Sequence, residues 1–257
     1  MADDSAAAAI ARLDALTRRL RVECPWDREQ DERTIVPHTV EEAYELADAA
    51  NSGDDRKLAD ELGDVLFQVH FLSLLLEERD AGSLADVADH VRTKLIRRHP
   101  HVYSDAEVAD AGEVLRNWDQ IKAGEEGREP GIFGEVPENL PGPLYARKVQ
   151  RRAATAGLDV DEVPYDAVAA QLELLPVAAE AGHDAAFDVI GDLLFAAVNV
   201  ARKLKVDPEL ALRSSAGRFR DSVTDAERLA SEHGRAWEEL SPDQKLSLYA
   251  QARLGAS

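Results

Sequence analysis

The segment ADELGDVLFQVHFLSLLL, residues 59–76, constrains the fold more than any other stretch of the chain. From Leu62 onward ten of fifteen residues are Leu, Val or Phe, yet Glu61 and Asp64 stand at the head of the run. At about 100° per residue, Leu58, Leu62, Val65, Leu66, Val69, Leu72 and Leu76 form one broad apolar stripe. Glu61 and Asp64 lie a quarter-turn aside, ahead of Gln68, Phe71 and Leu75 on their own face, while Phe67 and Leu74 take the opposite side. A helix apolar almost all round belongs at the centre of a helical bundle. An acid inside it must be paired or bound to a metal, because burying a lone carboxylate is costly.

The preceding segment supplies possible partners. Glu42 and Glu45 are three residues apart, as are Glu61 and Asp64, so each pair projects from one side of its helix. The turn Asn51-Ser52-Gly53-Asp54-Asp55 makes the two helices antiparallel neighbours, and four carboxylates can then converge across the groove. Such a set repels itself unless protons or cations offset it, and all-oxygen donors suit Mg²⁺ or Mn²⁺. Plainer readings stand beside this one. Thr39-Val40-Glu41-Glu42 matches a capping box, which alone would explain Glu42, and Glu41 and Glu45 lie on a side that is solvated by default.

The rest of the chain reads as all-α. Aromatic residues make up only 5%, and Ala and Leu abound where β-branched clusters would mark strands. Helices fit 6–20, 83–98 and about 106–123, with a loop from CPWD (24–27) to Pro37 and a helix beginning at Thr39. GEEGREPGIFGEVPENLPGP is dense in Gly, Pro and Glu, which marks residues 126–142 as a linker between domains at 1–125 and 143–257. Beyond it, helices fit 144–156, 166–181, 184–204, 208–233 and 242–253. Gly63-Asp64-Val65-Leu66-Phe67 recurs as Gly191-Asp192-Leu193-Leu194-Phe195, each copy preceded by a comparable helix, so the halves read as two related helical domains.

A formal charge of −20 opposes binding to nucleic acid or to anionic membranes. No apolar run is long enough for a membrane span, and the N-terminus lacks the basic region of a signal peptide. Cys24 has no second cysteine to pair with, which fits a cytoplasmic protein, and it reads as a small buried hydrophobe.

EEAYE at 41–45 followed by ELGD at 61–64, with CPWDREQ at 24–30, KLIRRHPHVY at 94–103 and NWDQIK at 117–122, resembles the MazG family of nucleoside triphosphate pyrophosphohydrolases. LPGPLYARKVQRRAATAGLD at 140–159 resembles the junction into that family's second repeat. The resemblance implies an all-α, dimeric, Mg²⁺-dependent enzyme built from two helical-bundle repeats, which cleaves NTPs or dNTPs to the monophosphate and pyrophosphate in nucleotide-pool sanitation or control of NTP levels. It makes Glu42, Glu45, Glu61 and Asp64 metal ligands and Glu41 a neighbour that orients water or holds a second ion. Lys94 and Arg98 are then to meet phosphate oxygens, and Trp118 and Lys122 to contact base, ribose or phosphate. From the residues alone, Lys94, Arg97 and Arg98 equally suit the C-terminal dipole of their helix, His99 and His101 fix a loop, and Trp118 is a core residue.

Two departures stand out. Asp31 occupies a position where the family usually has Thr. Aligning GDVLF with GDLLF puts Ala170, Gln171 and Leu174 opposite Glu41, Glu42 and Glu45, and Val189 opposite Glu61, leaving Asp192 to match Asp64. Ser222 stands opposite Arg98, and Tyr249 opposite Trp118. One carboxylate cannot hold Mg²⁺ in a dry groove, so the first repeat is expected to be active and the second degenerate. Rival readings are a non-catalytic helical scaffold or nucleotide sensor, and a di-iron bundle. The latter would need Glu-x-x-His where Glu61 is followed by Asp64. Dimeric dUTPases and phosphoribosyl-ATP pyrophosphohydrolases share comparable carboxylate pairs, but two repeats with the CPWD and RRHPH stretches favour MazG.

Overall fold

The computed structural model describes residues 2–104, 106–125, 131–134 and 136–255, without the side chains of 2–5, 115, 116, 119 and 123. Of the interval assigned to a linker, residues 126–130 and 135 lie outside the described residues. Every regular element among the described residues is helical. The chain divides into two compact units, Met1–Arg128 and Glu129–Ser257.

The first unit is built on a helical hairpin. Helix α3 (Glu32–Ser52) and helix α4 (Asp55–Glu77) pack along their lengths, joined by a turn in which Gly53 takes the left-handed conformation at φ 70°. Asp54 starts α4 by accepting from the backbone amides of Arg56 and Lys57. Helix α3 begins earlier than the sequence pattern indicates. Asp31 is its N-cap, accepting from the amides of Arg33 and Thr34, while Thr34 Oγ1 accepts from the Asp31 amide in return. Pro37 therefore lies inside the helix, not at the end of a loop, and Thr39 is an interior residue whose hydroxyl donates to the Ile35 carbonyl. This corrects the expected start at Thr39 and removes capping as the explanation of Glu42. It also explains Asp31, since Asp and Thr are both competent N-caps.

Helix α4, expected to be buried almost all round, closes on one side only. Ile35 of α3 packs with Phe71 and Leu75 of α4, supported by Phe67 and Leu72. Thus the buried face is the one continuing from Glu61 and Asp64 through Gln68, whereas Leu62 is 51% exposed and Leu66 and Val69 are also exposed. Helix α1 (Ala2–Glu23) covers the far end of α4, where Arg18 forms paired bonds to Glu77 and Arg21 to Glu78. Arg21 also donates to the carbonyls of Asp27 and Gln30, which ties down the short helix α2 (Pro25–Glu29). Cys24, just before it, is half-buried and not in the core. Helices α5 (Leu84–Arg98), α6 (Pro100–Tyr103) and α7 (Ala111–Ala123) complete the unit, with α7 capped by Asp110 and so starting later than residue 106.

The second unit contains α8 (Gly142–Thr155), α9 (Tyr165–Ala181), α10 (His183–Lys203), α11 (Pro208–Glu232) and α12 (Pro242–Gly255), with a 3-10 turn at Trp237–Glu239. Helices α9 and α10 form one packed pair, α11 and α12 another. Gln150 of α8 donates to the Phe195 carbonyl of α10 at 2.8 Å. Asp159, held by Arg202 and Lys203, is lowered to a pKa of about 2, chiefly by the Arg202 hydrogen bond, and pins the α8–α9 connection to the end of α10.

Candidate functional site

The α3–α4 hairpin brings three of the four expected ligands together. Glu42 and Glu45 sit one turn apart on α3, Glu61 faces them from α4, and each offers a carboxylate oxygen within 4.8 Å of the others. Glu42 and Glu61 are half-buried and Glu45 is exposed. Asp64 lies one turn beyond Glu61 and is exposed, which corrects the expectation that it is buried. The first turns of α4 extend past the Ile35–Phe71–Leu75 core, so the leucines around Asp64 are open as well. Asp64 nevertheless belongs to the same field. The Glu42 carboxyl is raised above its ordinary pKa by desolvation first, then by Asp64 and Glu45, and Glu61 is raised by desolvation, then by Glu45 and Asp64.

Charge is thus concentrated here, and the one nearby cation acting on Glu61, Lys57, is outweighed by desolvation and the neighbouring acids. Moreover, Glu61 Oε2 is sealed from solvent and accepts no hydrogen bond among the described residues. An orphaned buried oxygen in a set of all-oxygen donors from two rigid helices fits a hard divalent cation. The fit is chemical, with the hairpin fixing the positions of the donors. Glu41 lies outside the cluster, exposed, with an oxygen 3.7 Å from His38 Nδ1.

The basic and aromatic residues form a second grouping on α5 and α7. Arg98 is only 8% exposed and gives paired bonds to Glu125, Nε to Oε1 at 2.9 Å and Nη2 to Oε2 at 2.6 Å. Arg97 bonds the same carboxylate at 2.6 Å, and the Arg98 hydrogen bond leads in lowering Glu125 to a pKa of about 2. The Arg98 guanidinium lies over the Trp118 ring at 5.4 Å, and His99 packs edge-on against that ring at 4.8 Å. His99 Nδ1 pairs with the Leu95 carbonyl, consistent with loop fixing. Lys94 and Lys122, one turn before Arg98 and one turn after Trp118, are half-buried. The structure therefore unites Arg98 with Trp118, and with Glu125, which the sequence reading missed. Glu125 is 27 residues from Arg98 and stands at the head of a Gly/Glu-rich stretch, where an acid carries no local signal.

The first unit of this all-α chain thus carries an acidic helical hairpin, whose oxygen donors suit a hard cation, and an Arg98–Trp118 pair on α5 and α7. The MazG nucleotide pyrophosphohydrolase domain model matches residues 30–103, an interval containing Glu42, Glu45, Glu61, Asp64, Lys94 and Arg98. The chain is 36% identical over 244 residues to a nucleoside triphosphate pyrophosphohydrolase of Escherichia coli strain K12, a match covering 88% of this chain and 89% of that protein. It is 37% identical over 229 residues to the nucleoside triphosphate pyrophosphohydrolase/pyrophosphatase MazG of Thermotoga maritima, covering 88% and 87%. A nucleoside triphosphate pyrophosphohydrolase of Mycobacterium tuberculosis is 34% identical over 152 residues, covering 58% of this chain and 46% of that protein. The chain belongs to the MazG family. Among the described residues, no helix is long and apolar enough to cross a membrane.

Proposed function

We propose that this chain is a Mg²⁺-dependent nucleoside triphosphate pyrophosphohydrolase, converting an NTP or dNTP and water to the monophosphate and pyrophosphate, with hydrolysis carried by the first unit. The observation that supports this reading is the convergence of Glu42, Glu45 and Glu61 around the unpartnered Glu61 oxygen, with Asp64 in the same field. These four residues would hold Mg²⁺ or Mn²⁺. A divalent cation held there supplies charge neutralisation for the phosphates and acidifies water.

The chain's own groups then have distinct tasks. Lys94 and Arg98 bind phosphate oxygens and stabilise the charge that develops on pyrophosphate. Arg98 already presents its fork to the two oxygens of Glu125, and the same geometry suits a phosphate. Trp118 and Lys122 hold the base, ribose or phosphate, and the exposed Glu41 orients water. The two units act as repeats in this reading, the second being a degenerate copy retained for packing, contacts or regulation.

We assign the enzyme to the cytoplasm and to a homodimer. The dimer is supported by the exposed stripe of Leu62, Leu66 and Val69 on α4 with Val36 and Val40 on α3, apolar residues that a second copy would cover. The deciding measurement is pyrophosphate release from dGTP and dUTP. Release with Mg²⁺ that ceases in EDTA supports the reading, whereas its absence across a nucleotide panel leaves a scaffold or sensor.

A further inference from the structure

At the end of α5 one carboxylate holds two arginines. Glu125 Oε1 accepts from Arg97 Nη2 at 2.6 Å, from Arg97 Nε at 3.2 Å and from Arg98 Nε at 2.9 Å, while Oε2 accepts from Arg98 Nη2 at 2.6 Å. The Trp118 ring packs against the Arg98 guanidinium, so the fork is held in place from its other side. A tie between α5 and α7 needs only one such pair. Two guanidiniums on a single carboxylate leave positive charge over, and Lys94 adds to it one turn earlier on α5. A guanidinium fork fits a carboxylate and a phosphate alike.

The place of Glu125 in the chain suits its departure. Helix α7 ends at Ala123, and the amide of its C-cap, Gly124, closes on the carbonyls of Gln120 and Ile121. Glu125 is the next residue, so its side chain can leave the arginines without breaking a helical hydrogen bond. Protonation does not dislodge it near neutral pH. The Arg98 hydrogen bond leads in lowering its pKa to about 2, which keeps the carboxylate charged and leaves a rival anion as the group that displaces it.

We propose that Glu125 is an internal competitor for phosphate, which occupies Arg97 and Arg98 in the free protein, yields them to a polyphosphate, and by returning weakens the hold on pyrophosphate so that this product leaves. The inference rests on the reading that Arg98 meets phosphate oxygens. A carboxylate on the same chain competes at an effective concentration on the order of millimolar, so any anion that takes the two arginines binds more weakly by the cost of displacing it.

The test is a calorimetric titration of the full chain with inorganic pyrophosphate in EDTA. Glu125→Gln is expected to bind at least about tenfold more tightly than wild type, because glutamine keeps an acceptor for Arg98 but gives up the competing charge. Arg98→Ala added to Glu125→Gln should abolish that gain. Unchanged or weaker binding by Glu125→Gln, or a gain that survives Arg98→Ala, would overturn the proposal and leave Glu125 as a tie between helices. Wild type supplies a second measurement that needs no substitution to fold. Saturating pyrophosphate should shift the Nε–H nuclear magnetic resonance signals of both Arg97 and Arg98, and an unmoved Arg98 signal would equally overturn it. Mg²⁺-dependent pyrophosphate release from a nucleotide is read separately. Tighter binding without such release sinks the hydrolytic reading alone, whereas release with unchanged affinity sinks the role of Glu125 alone.

Discussion

The α3–α4 and α9–α10 hairpins are the same local solution, two long antiparallel helices on a short connection, put to different ends. In the first, Glu42, Glu45 and Glu61 meet across the groove. At the matching positions the second carries Gln171, Leu174 and Val189, and its surface is apolar, with Leu172, Leu174, Val177, Phe187 and Leu194 all more than half exposed. A helical hairpin therefore does not by itself make a metal centre. The first hairpin adds a cluster of acids at one end, where desolvation and then mutual repulsion raise the carboxyl pKa of Glu42 and Glu61. What the second hairpin exposes instead is apolar surface.

The sharpest way to break this contrast is to remove equivalent acids from the two hairpins. Asp64→Asn or Glu61→Gln should lower pyrophosphate release at least about 100-fold, because a lost ligand disables the site. Asp192→Asn should leave release at the wild-type level, and a comparable loss there would end the asymmetry. Next in size is the response to metal. Millimolar Mg²⁺ should raise the melting temperature of wild type by several degrees, a saturating native-state ligand adding about 2–3 kcal/mol at 100 times its Kd. Asp64→Ala should show no such shift, and a shift of wild-type size in that variant would place the metal elsewhere.

A smaller effect is expected without metal. The carboxyls of Glu42 and Glu61 are raised above their ordinary pKa by desolvation and then by neighbouring acids. Their protonated forms are thus favoured by the fold. Their contribution is fully present below the unfolded carboxyl pKa and is lost as pH rises through the raised folded value. Glu42→Gln should consequently raise the melting temperature in EDTA at neutral pH, and the gain should shrink toward pH 4. The smallest effect contrasts the hairpin starts, since α3 is capped by Asp31 whereas α9 begins at Pro164 without a side-chain cap. Asp31→Thr should leave the melting temperature unchanged and Asp31→Ala should lower it slightly.

Much of this architecture was legible in the chain. The helical class, the antiparallel pairing at Gly53 and the convergence of Glu42, Glu45 and Glu61 all follow from spacing, because a turn of few residues leaves α4 little choice of partner. The face of α4 did not follow. Counting apolar residues left α4 apolar almost all round and so named no single core face, whereas packing on Ile35 buries Phe71 and Leu75 and leaves Leu62, Leu66 and Val69 exposed. The exposure of Asp64 was hidden for a different reason, since the first turns of α4 extend past the Ile35–Phe71–Leu75 core and spacing does not say where that core ends. The start of α3 was misplaced because Pro37 reads as a breaker, while Asp31 caps six residues ahead of it and the helix accommodates the ring. Glu125 was illegible for another reason. Its partnership with Arg97 and Arg98 is set by the return of α7 against α5, which no local pattern encodes.

The left-handed glycine between α3 and α4 acts as an index mark for the whole centre. Gly53 takes φ 70°, a conformation in which a side chain would be strained, and so fixes the phase at which α4 leaves α3. A residue added there that joined the first turn of α4 would advance the helix by about 1.5 Å and turn it by about 100°, swinging Glu61 and Asp64 away from Glu42 and Glu45. A single insertion eight residues upstream of Glu61 would then silence the centre while every helix remained intact.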